Sequence, residues 1–252
     1  MTWCLVGSEM CIRDRWIQRR LKAVYGIASD PTKENGEPPE RDEAGRPLEA
    51  THLMHVIDID AWPVDANPSE SADLKAAPAP PEPYVMTVGR ISHVKGTWET
   101  LQSLAGSGYG LVHVGGGDEG DKATLEDEAK RLNVPLVCMP RLTQAALVGL
   151  VRGAAAMVSH AHHEPFGLTP IEAMAVGTPA LMVDEGGFQC TMSGVESGLL
   201  LRRDQPEAWK SAYASLKNPE QHEAWATVGR PYVEANFTLS VQIEALERMM
   251  GL

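Results

Sequence analysis

The sequence has few cysteines, no long apolar run and no excess of positive charge, and each absence excludes a class of protein. Four cysteines among 252 residues, without regular spacing, indicate neither a disulfide framework nor a zinc site. No apolar run approaches the roughly 20 residues that a membrane-spanning helix needs. The formal net charge of −12 argues against nucleic acid or an anionic membrane as the principal partner. A chain of this length that is 43% hydrophobic can form one large or two small domains.

The first residues look foreign to the rest of the chain. The stretch from Cys4 to Arg15, CLVGSEMCIRDR, resembles the in-frame translation of a transposase sequencing adapter. We therefore interpret residues 1–15 as a non-native artefact and leave them out of the fold prediction, with a native amphipathic segment as the alternative. The two cysteines outside this stretch, Cys138 and Cys190, are typical of reduced thiols in a cytoplasmic protein.

Three segments precede a linker and the main domain. Residues 16–27 predict an amphipathic helix, residues 28–50 a charged mobile loop, and residues 52–57 a short strand. Residues 63–83 end in Ala-Ala-Pro-Ala-Pro-Pro-Glu-Pro, the composition of a semi-extended linker. The sequence therefore predicts a domain boundary at the end of this linker and a main domain over residues 84–252.

Short apolar runs alternate with helical patterns throughout the main domain. The predicted strands are residues 84–88, 110–114, 134–139, 157–159, 179–183 and 199–201. The predicted helices are residues 97–105, 121–132, 143–152, 170–176, 205–216, 220–234 and 239–249. This alternation predicts an α/β fold with a doubly wound, Rossmann-like parallel sheet, which binds ligands at the carboxyl ends of its strands.

Two cations lie in the predicted loop after the first strand of the main domain, which reads GRISHVKG. Arg90 and Lys95 are placed to converge on a diphosphate at the carboxyl edge of the sheet, although solvated surface charge is the alternative. Gly115, Gly116 and Gly117 follow the second strand. They indicate a turn where the backbone can approach a ligand, but an ordinary flexible loop has the same composition.

Two carboxylates, Glu164 and Glu172, are eight residues apart in a stretch with the sequence HAHHEPFGLTPIEAMAVGTPALMVDEGG. We predict a loop after the fourth strand and then a helix with Thr169 as its N-cap and Pro170 at its first position, whose N-terminus favours an anion. Glu172 then has a structural alternative, the capping box, in which it folds back onto the Thr169 N–H. Glu164 has no evident structural partner, and a solvated loop acid is the alternative for it.

This stretch resembles the Glu-x7-Glu motif of retaining glycosyltransferases with two Rossmann-like domains (the GT-B architecture), in the family called glycosyl transferases group 1. The Phe-Gly, Glu-Ala and Gly-Thr-Pro pairings fall at the family's spacing, and the loop with Arg90 and Lys95 matches its Gly-Arg-x4-Lys-Gly pattern. The resemblance covers roughly residues 84–252. Residues 16–62 resemble the end of the family's N-terminal domain, so the chain is expected to be a C-terminal half preceded by a remnant.

The resemblance implies a role for each candidate residue. Glu164 is expected to contact hydroxyls of the donor sugar, Glu172 the ribose, and Arg90 with Lys95 the diphosphate, where both would stabilise the leaving group. Glu164, Arg90 and Lys95 are therefore the expected catalytic residues, and Glu172 is expected to bind the donor. The other expected donor-binding residues are Gly89, Gly115, Gly116, Gly117, Arg141, Leu142, Phe166, Gly167, Leu168 and Thr169.

The implied activity is transfer of a hexose, with retention, from a nucleotide-diphosphate sugar to the hydroxyl of an unidentified sugar, lipid-linked or small-molecule acceptor. No cofactor or metal is expected, and the three histidines at 160, 162 and 163 match no strong ligand spacing. We expect the family's acceptor-binding N-terminal domain to be missing from this chain, so a nucleotide-binding module without transfer activity is the alternative. Cys190 stands where the family has glutamate, which also allows a degenerate copy. A sugar-nucleotide epimerase is disfavoured by Glu-Pro-Phe-Gly.

Overall fold

The structure is a computed structural model, and it describes residues 4–6, 9–11, 54–65 and 77–250, with side chains over 54–65 and 77–247. The helix predicted at 16–27 and the loop predicted at 28–50 lie outside the described residues. Near the N-terminus, β1 (Cys4–Val6) pairs antiparallel with β2 (Glu9–Cys11). This pairing does not test whether residues 1–15 are native.

The described residues fall into two compact units. Residues 58–235 form the larger unit, and the described residues up to Ile57 and from Asn236 onward belong to the smaller one. Within the smaller unit, the Ile57 backbone N–H donates a 2.8 Å hydrogen bond to the carbonyl of Phe237. The boundary predicted at the end of residues 63–83 stays a prediction.

The larger unit contains a six-stranded sheet in which every pairing is parallel. Its strands are β3 (Tyr84–Val88), β4 (Gly110–Val114), β5 (Leu136–Met139), β6 (Met157–Ser159), β7 (Ala180–Val183) and β8 (Gly198–Leu201). They are ordered β5-β4-β3-β6-β7-β8 across the sheet. Counted from β3, this is the 3-2-1-4-5-6 order of a doubly wound Rossmann fold, so the predicted fold class is confirmed.

The central strands are almost entirely buried because helices cover both faces of the sheet. All five residues of β4 and all four of β7 are buried, and Val85 and Met86 of β3 have no exposed surface. A strand that reads as a continuous apolar run, without alternation, is typical of a parallel sheet between two helical layers. The core therefore runs through the middle of the sheet and leaves polar residues at its carboxyl edge.

Helices follow the strands in alternation. They are α1 (Thr97–Ser103), α2 (Glu119–Leu132), α3 (Gln144–Gly153), α4 (Leu168–Ala175), α5 (Phe188–Thr191), α6 (Pro206–Ser215), α7 (Pro219–Asn236) and α8 (Leu239–Met250). Trp209 and Tyr213 of α6 are almost completely buried, so this helix packs as a core element. No helix in the described part of the chain is both long and apolar enough to span a bilayer.

Two predictions about local structure are wrong, and one helix was missed. Residues 54–57, the described part of the strand predicted at 52–57, form no regular element. The four-residue helix α5 was not predicted. The second wrong prediction concerns the start of α4, which lies two residues earlier than predicted and bears on the site.

Candidate functional site

The strand order reverses between β3 and β6, which makes the crevice outside their carboxyl ends the expected ligand site. The loop after β3 covers residues 89–96 and the loop after β6 covers residues 160–167. Both loops carry the residues that the sequence singles out. The fold therefore brings the two halves of the predicted site, about 70 residues apart in sequence, to one place.

The loops after β3 and β4 are in direct backbone contact. Gly115 has a φ of +145°, and a side chain there would place its Cβ 2.0 Å from the carbonyl oxygen of Gly89. The Ile91 N–H donates to the Gly116 carbonyl at 2.9 Å. Glycine at 115 is thus required by the close approach of the two loops, so Gly115 has a structural role whatever the loop binds.

Arg90 is exposed and lines a cleft of about 640 Å³ between these two loops. Gly116, Gly117 and Asp118 form the opposite wall of the cleft. The carboxylate of Asp118 is occupied as the N-cap of α2, since it accepts a 2.8 Å hydrogen bond from the Gly120 N–H. A second cleft, of about 410 Å³, includes the start of β5 and so lies at the other edge of the sheet.

Lys95 and Glu164 meet at the switch point. The Lys95 Nζ donates a 2.6 Å hydrogen bond to Glu164 Oε2, and the two side chains are 39% and 19% exposed. The Glu164 carbonyl accepts a 2.7 Å hydrogen bond from Gly187 N–H, which ties the loop to the segment after β7. His163, just before, has a left-handed φ of 50°. The contacts around this loop, and not local preference, therefore determine where Glu164 lies.

The N-terminus of α4 lies directly after this loop, and the prediction that Thr169 caps it is wrong. The N-cap is Gly167, with a φ of 88°, and Thr169 is the second helical residue. Glycine is needed there because a Cβ would lie 2.6 Å from the ring of Phe188. Phe166 is buried and Leu168 is 40% exposed, so only the latter faces outward at the helix start.

Glu172 lies one turn into α4 and is partly buried. The capping box that was its structural alternative needs an N-cap at Thr169, and the observed N-cap at Gly167 rules that arrangement out. Burial raises the pKa of the Glu172 carboxyl from its ordinary value of 4.5 to about 7. A carboxyl kept partly protonated at neutral pH is typical of a functional position.

Arg141 and Leu142 lie in the loop after β5, and the structure does not bring them to the Lys95–Glu164 pair. Two strand spacings separate β5 from β3, which is about 10 Å. Arg141 is exposed and Leu142 is partly buried. A nucleotide with its diphosphate at the switch point spans such a distance, so both residues stay candidates for the base end of a ligand.

The three histidines of the loop after β6 have different surroundings. His160 is buried, its ring stacks on Trp209 at a centroid distance of 3.8 Å, and burial lowers its pKa to about 3. His162 Nε2 lies 2.9 Å from Glu99 Oε1 on α1. Within residues 54–65 and 77–247, no three His, Cys, Asp or Glu side chains are grouped to hold a metal ion.

Residues 70–230, more than half of the chain, match the sequence model of the family described as Glycosyl transferases group 1. The chain belongs to this family. The family's D-inositol 3-phosphate glycosyltransferase from Segniliparus rotundus is 31% identical over 210 residues, which cover 74% of this chain and 46% of that protein. The chain thus spans about half the length of the curated relatives it matches.

Two solved structures of similar fold each cover more of this group 1 chain than the Segniliparus relative does. Sucrose-phosphate synthase from Thermosynechococcus elongatus superposes with a TM-score of 0.72 at 23% identity, covering 97% of this chain and 59% of that one. An Anabaena protein solved in complex with UDP-glucose gives a TM-score of 0.66 at 17% identity, covering 81% and 58%. At these identities the likeness shows the fold, which is that of GT-B glycosyltransferases.

One residue that departs from the group 1 sequence pattern is buried in the structure. Cys190, where the family pattern has glutamate, lies in α5 and is 6% exposed. The Cys190 N–H bonds the carbonyl of Gly187 at 2.9 Å, so this residue belongs to the short helix behind the Glu164 loop. A thiol fits this buried position without the desolvation penalty that a carboxylate carries.

Sequence reasoning missed a charged group at the same edge of this group 1 domain. Arg203 follows β8 and donates to carbonyls of the Glu164 loop as well as to Glu185. The available signal was the pair Arg202-Arg203 directly after a strand, where a doubly wound sheet places functional residues. Only the contacts of the folded chain show which of the two arginines turns inward, since Arg203 reaches the His160 carbonyl and Arg202 pairs with the exposed Asp204.

Proposed function

We propose that this chain is the donor-binding half of a retaining glycosyltransferase that moves a hexose from a nucleotide-diphosphate sugar to an acceptor hydroxyl. The contact between Lys95 and Glu164 carries the proposal. An ammonium group suits a diphosphate, and a carboxylate suits sugar hydroxyls. In a nucleotide sugar these two groups are neighbours, joined by one bond from the sugar C1 to a phosphate oxygen, as the two side chains are neighbours here.

In the transfer reaction, the two cations stabilise the negative charge that develops on the leaving diphosphate. When the C1–O bond breaks, its electron pair stays on the diphosphate, while the acceptor oxygen bonds to C1 and passes its proton to the departing phosphate oxygen. Lys95 and Arg90, on one loop at the switch point, stabilise this developing negative charge. The N-terminus of α4, which begins at Leu168, adds its dipole. The proposal therefore needs no divalent metal.

Two carboxylates orient the donor in this proposal. Glu164 accepts hydrogen bonds from the sugar hydroxyls once the ligand replaces Lys95 as its partner. Glu172, eight residues further on and held at a pKa of about 7, takes the ribose. Burial favours the protonated carboxyl, which can donate to one ribose hydroxyl and accept from the other.

The comparisons support a nucleotide-sugar donor and leave the acceptor open. The Anabaena structure of similar fold holds UDP-glucose, and one relative is named a mannosyltransferase, from Rhizobium meliloti. We infer that the acceptor, whether a sugar, a lipid-linked or a small molecule, binds a second domain, because this chain spans about half of its relatives. A cytoplasmic location is part of the proposal, in keeping with the free thiol of Cys138.

The proposal is tested by calorimetric titration of the chain with UDP, GDP and ADP and with their sugar conjugates, in the presence of a chelator. We expect one nucleotide series to bind. Arg90→Ala should weaken it about ten- to a hundredfold, since a charge-assisted hydrogen bond contributes roughly 1.5–3 kcal/mol. Arg131→Ala is the matched control, because this arginine forms an exposed ion pair with Glu128 on α2 and should leave affinity unchanged.

A folded chain that binds none of these ligands would contradict the proposal. Binding without transfer to any acceptor, even after fusion to the N-terminal half of a relative, would instead support the alternative of a nucleotide-binding module. The observation that favours this alternative is the buried Cys190 at the position of the family's glutamate.

A further inference from the structure

The guanidinium group of Arg203 joins two loops at the carboxyl edge of the sheet. Its Nη1 donates to the His160 carbonyl at 2.9 Å and its Nη2 to the Ala161 carbonyl at 3.4 Å. The same group pairs with both oxygens of Glu185, through Nε at 2.9 Å and Nη2 at 3.1 Å. The planar guanidinium group thus holds the loop after β6 against the loop after β7. The Arg203 side chain is only 25% exposed.

A second set of contacts holds the same loop from the side of α1. Glu99 Oε1 lies 2.9 Å from His162 Nε2 and 4.0 Å from Arg203 Nη1. The backbone N–H of His162 donates to the Val94 carbonyl at 2.8 Å, in the loop that carries Lys95. Groups from three parts of the chain, at Val94, Glu99 and Arg203, therefore converge on residues 160–162.

The loop held in this way leads directly to Glu164. The Glu164 carbonyl is bonded to Gly187 N–H, two residues beyond the Arg203 partner Glu185. The hydrogen bond from Arg203 also lowers the pKa of Glu185, which keeps that carboxylate charged and paired. Displacing the Arg203 side chain would therefore loosen both attachments of the segment that places the Glu164 carboxylate.

We propose that Arg203 is a positioning residue for the sugar end of the donor: it fixes the loop at residues 160–163 so that Glu164 faces Lys95 and the sugar. This inference rests on the proposed function, in which Glu164 contacts the donor sugar. Lysine cannot replace arginine here, because a single ammonium group cannot span two carbonyls and a bidentate carboxylate. Arg203 acts through Glu164, so its removal should affect the sugar and leave the diphosphate contacts unchanged.

Calorimetry on the full chain tests this with UDP against UDP-glucose and GDP against GDP-mannose. Arg203→Ala should weaken the sugar nucleotide about tenfold and the bare nucleotide less than about twofold, and Arg203→Lys should behave like Arg203→Ala. The matched control is Arg202→Ala, since the neighbouring arginine forms only an exposed pair with Asp204. Equal losses for the nucleotide and its sugar conjugate, or full rescue by lysine, would overturn the inference.

Hydrogen exchange of the same variants gives a readout that needs no ligand. In Arg203→Ala the amides of His162 and Gly187 should exchange at least about tenfold faster, while that of Val112 in the central strand should not change. Unchanged exchange at His162 overturns the inference. If the wild-type chain binds no nucleotide, the proposed function fails, and the exchange rates alone decide whether Arg203 holds the loop.

Discussion

Lys95 and Glu164, 69 residues apart in sequence, form a 2.6 Å ion pair at the point where the strand order of the sheet reverses. The pair keeps both charges compensated in the free chain. In the proposed function a bound donor exchanges this contact for two new ones, one between Lys95 and the diphosphate and one between Glu164 and the sugar. The proposal therefore couples the binding of nucleotide and of sugar through these two residues.

Glu164→Gln is expected to separate the two parts of the donor. The variant frees Lys95 for the diphosphate, and a partly exposed ion pair contributes about 1 kcal/mol, so affinity for bare nucleotide should rise about fivefold. Affinity for the sugar conjugate should not rise with it, because the carboxylate that accepts from the sugar hydroxyls is lost. Calorimetry with UDP and UDP-glucose, or with the nucleotide series that binds, measures both.

The control for this variant is Glu207→Gln, which breaks another lysine–glutamate pair, the exposed one with Lys210 on α6. It should change neither affinity. If Glu164→Gln weakens bare nucleotide and sugar nucleotide by the same factor, the two side chains do not compete with the ligand as proposed.

Glu172→Gln is expected to stabilise the free chain at alkaline pH. A carboxyl whose folded pKa is raised from 4.5 to about 7 favours folding when protonated, so its contribution falls as pH rises from about 4.5 to about 7. Glutamine does not ionise. The variant should therefore gain up to about 3 kcal/mol over the wild type at pH 8 and much less at pH 5.

Urea unfolding of both proteins at pH 5 and pH 8 measures this difference. A gain of the same size at both pH values would show that burial of the ionised carboxyl is not its cause. The same variant should lose nucleotide affinity if Glu172 contacts the ribose. Glu172 would then lower the stability of the free chain while it strengthens nucleotide binding.

Gly115→Ala and Gly116→Ala are expected to differ sharply although the glycines are adjacent. A Cβ at Gly115 would lie 2.0 Å from the Gly89 carbonyl oxygen on a backbone with φ of +145°, whereas nothing lies within 4 Å of a Cβ at Gly116. The first change should lower the free energy of unfolding by about 2–4 kcal/mol and the second by less than about 0.5 kcal/mol. Thermal or urea unfolding of both variants without ligand measures these changes. Equal losses of unfolding free energy in the two variants would disprove the close contact between Gly115 and the Gly89 carbonyl.

The central strands could be predicted from the sequence because their burial is uniform. Residues 84–88 and 110–114 have the predicted bounds and Ser159 is the predicted end of its strand, since parallel strands covered on both faces appear as mostly apolar runs. The strand predicted at 52–57 failed for the opposite reason. A short apolar run becomes a strand only if a partner strand lies beside it, and no pattern within the run reports that.

The start of α4 shows the limit of local rules at the site. Thr169-Pro170 is a good start signal, and Gly177 ends the helix as expected, with a φ of 77°. The helix nevertheless begins after Gly167, because the ring of Phe188 packs against that glycine and excludes a side chain there. That contact comes from a segment about twenty residues later, so the residues around the helix start do not reveal it.

The sequence by itself determined the fold class, the family and the two loops that carry the charged residues, because periodicity, glycine spacing and motif spacing are local properties. The tertiary structure alone decided that Lys95 pairs with Glu164, that Glu172 is buried enough to raise its pKa, and that Arg203 turns inward. These three facts depend on distance and desolvation between segments that the chain order keeps apart. The parallel order of the strands brings those segments together.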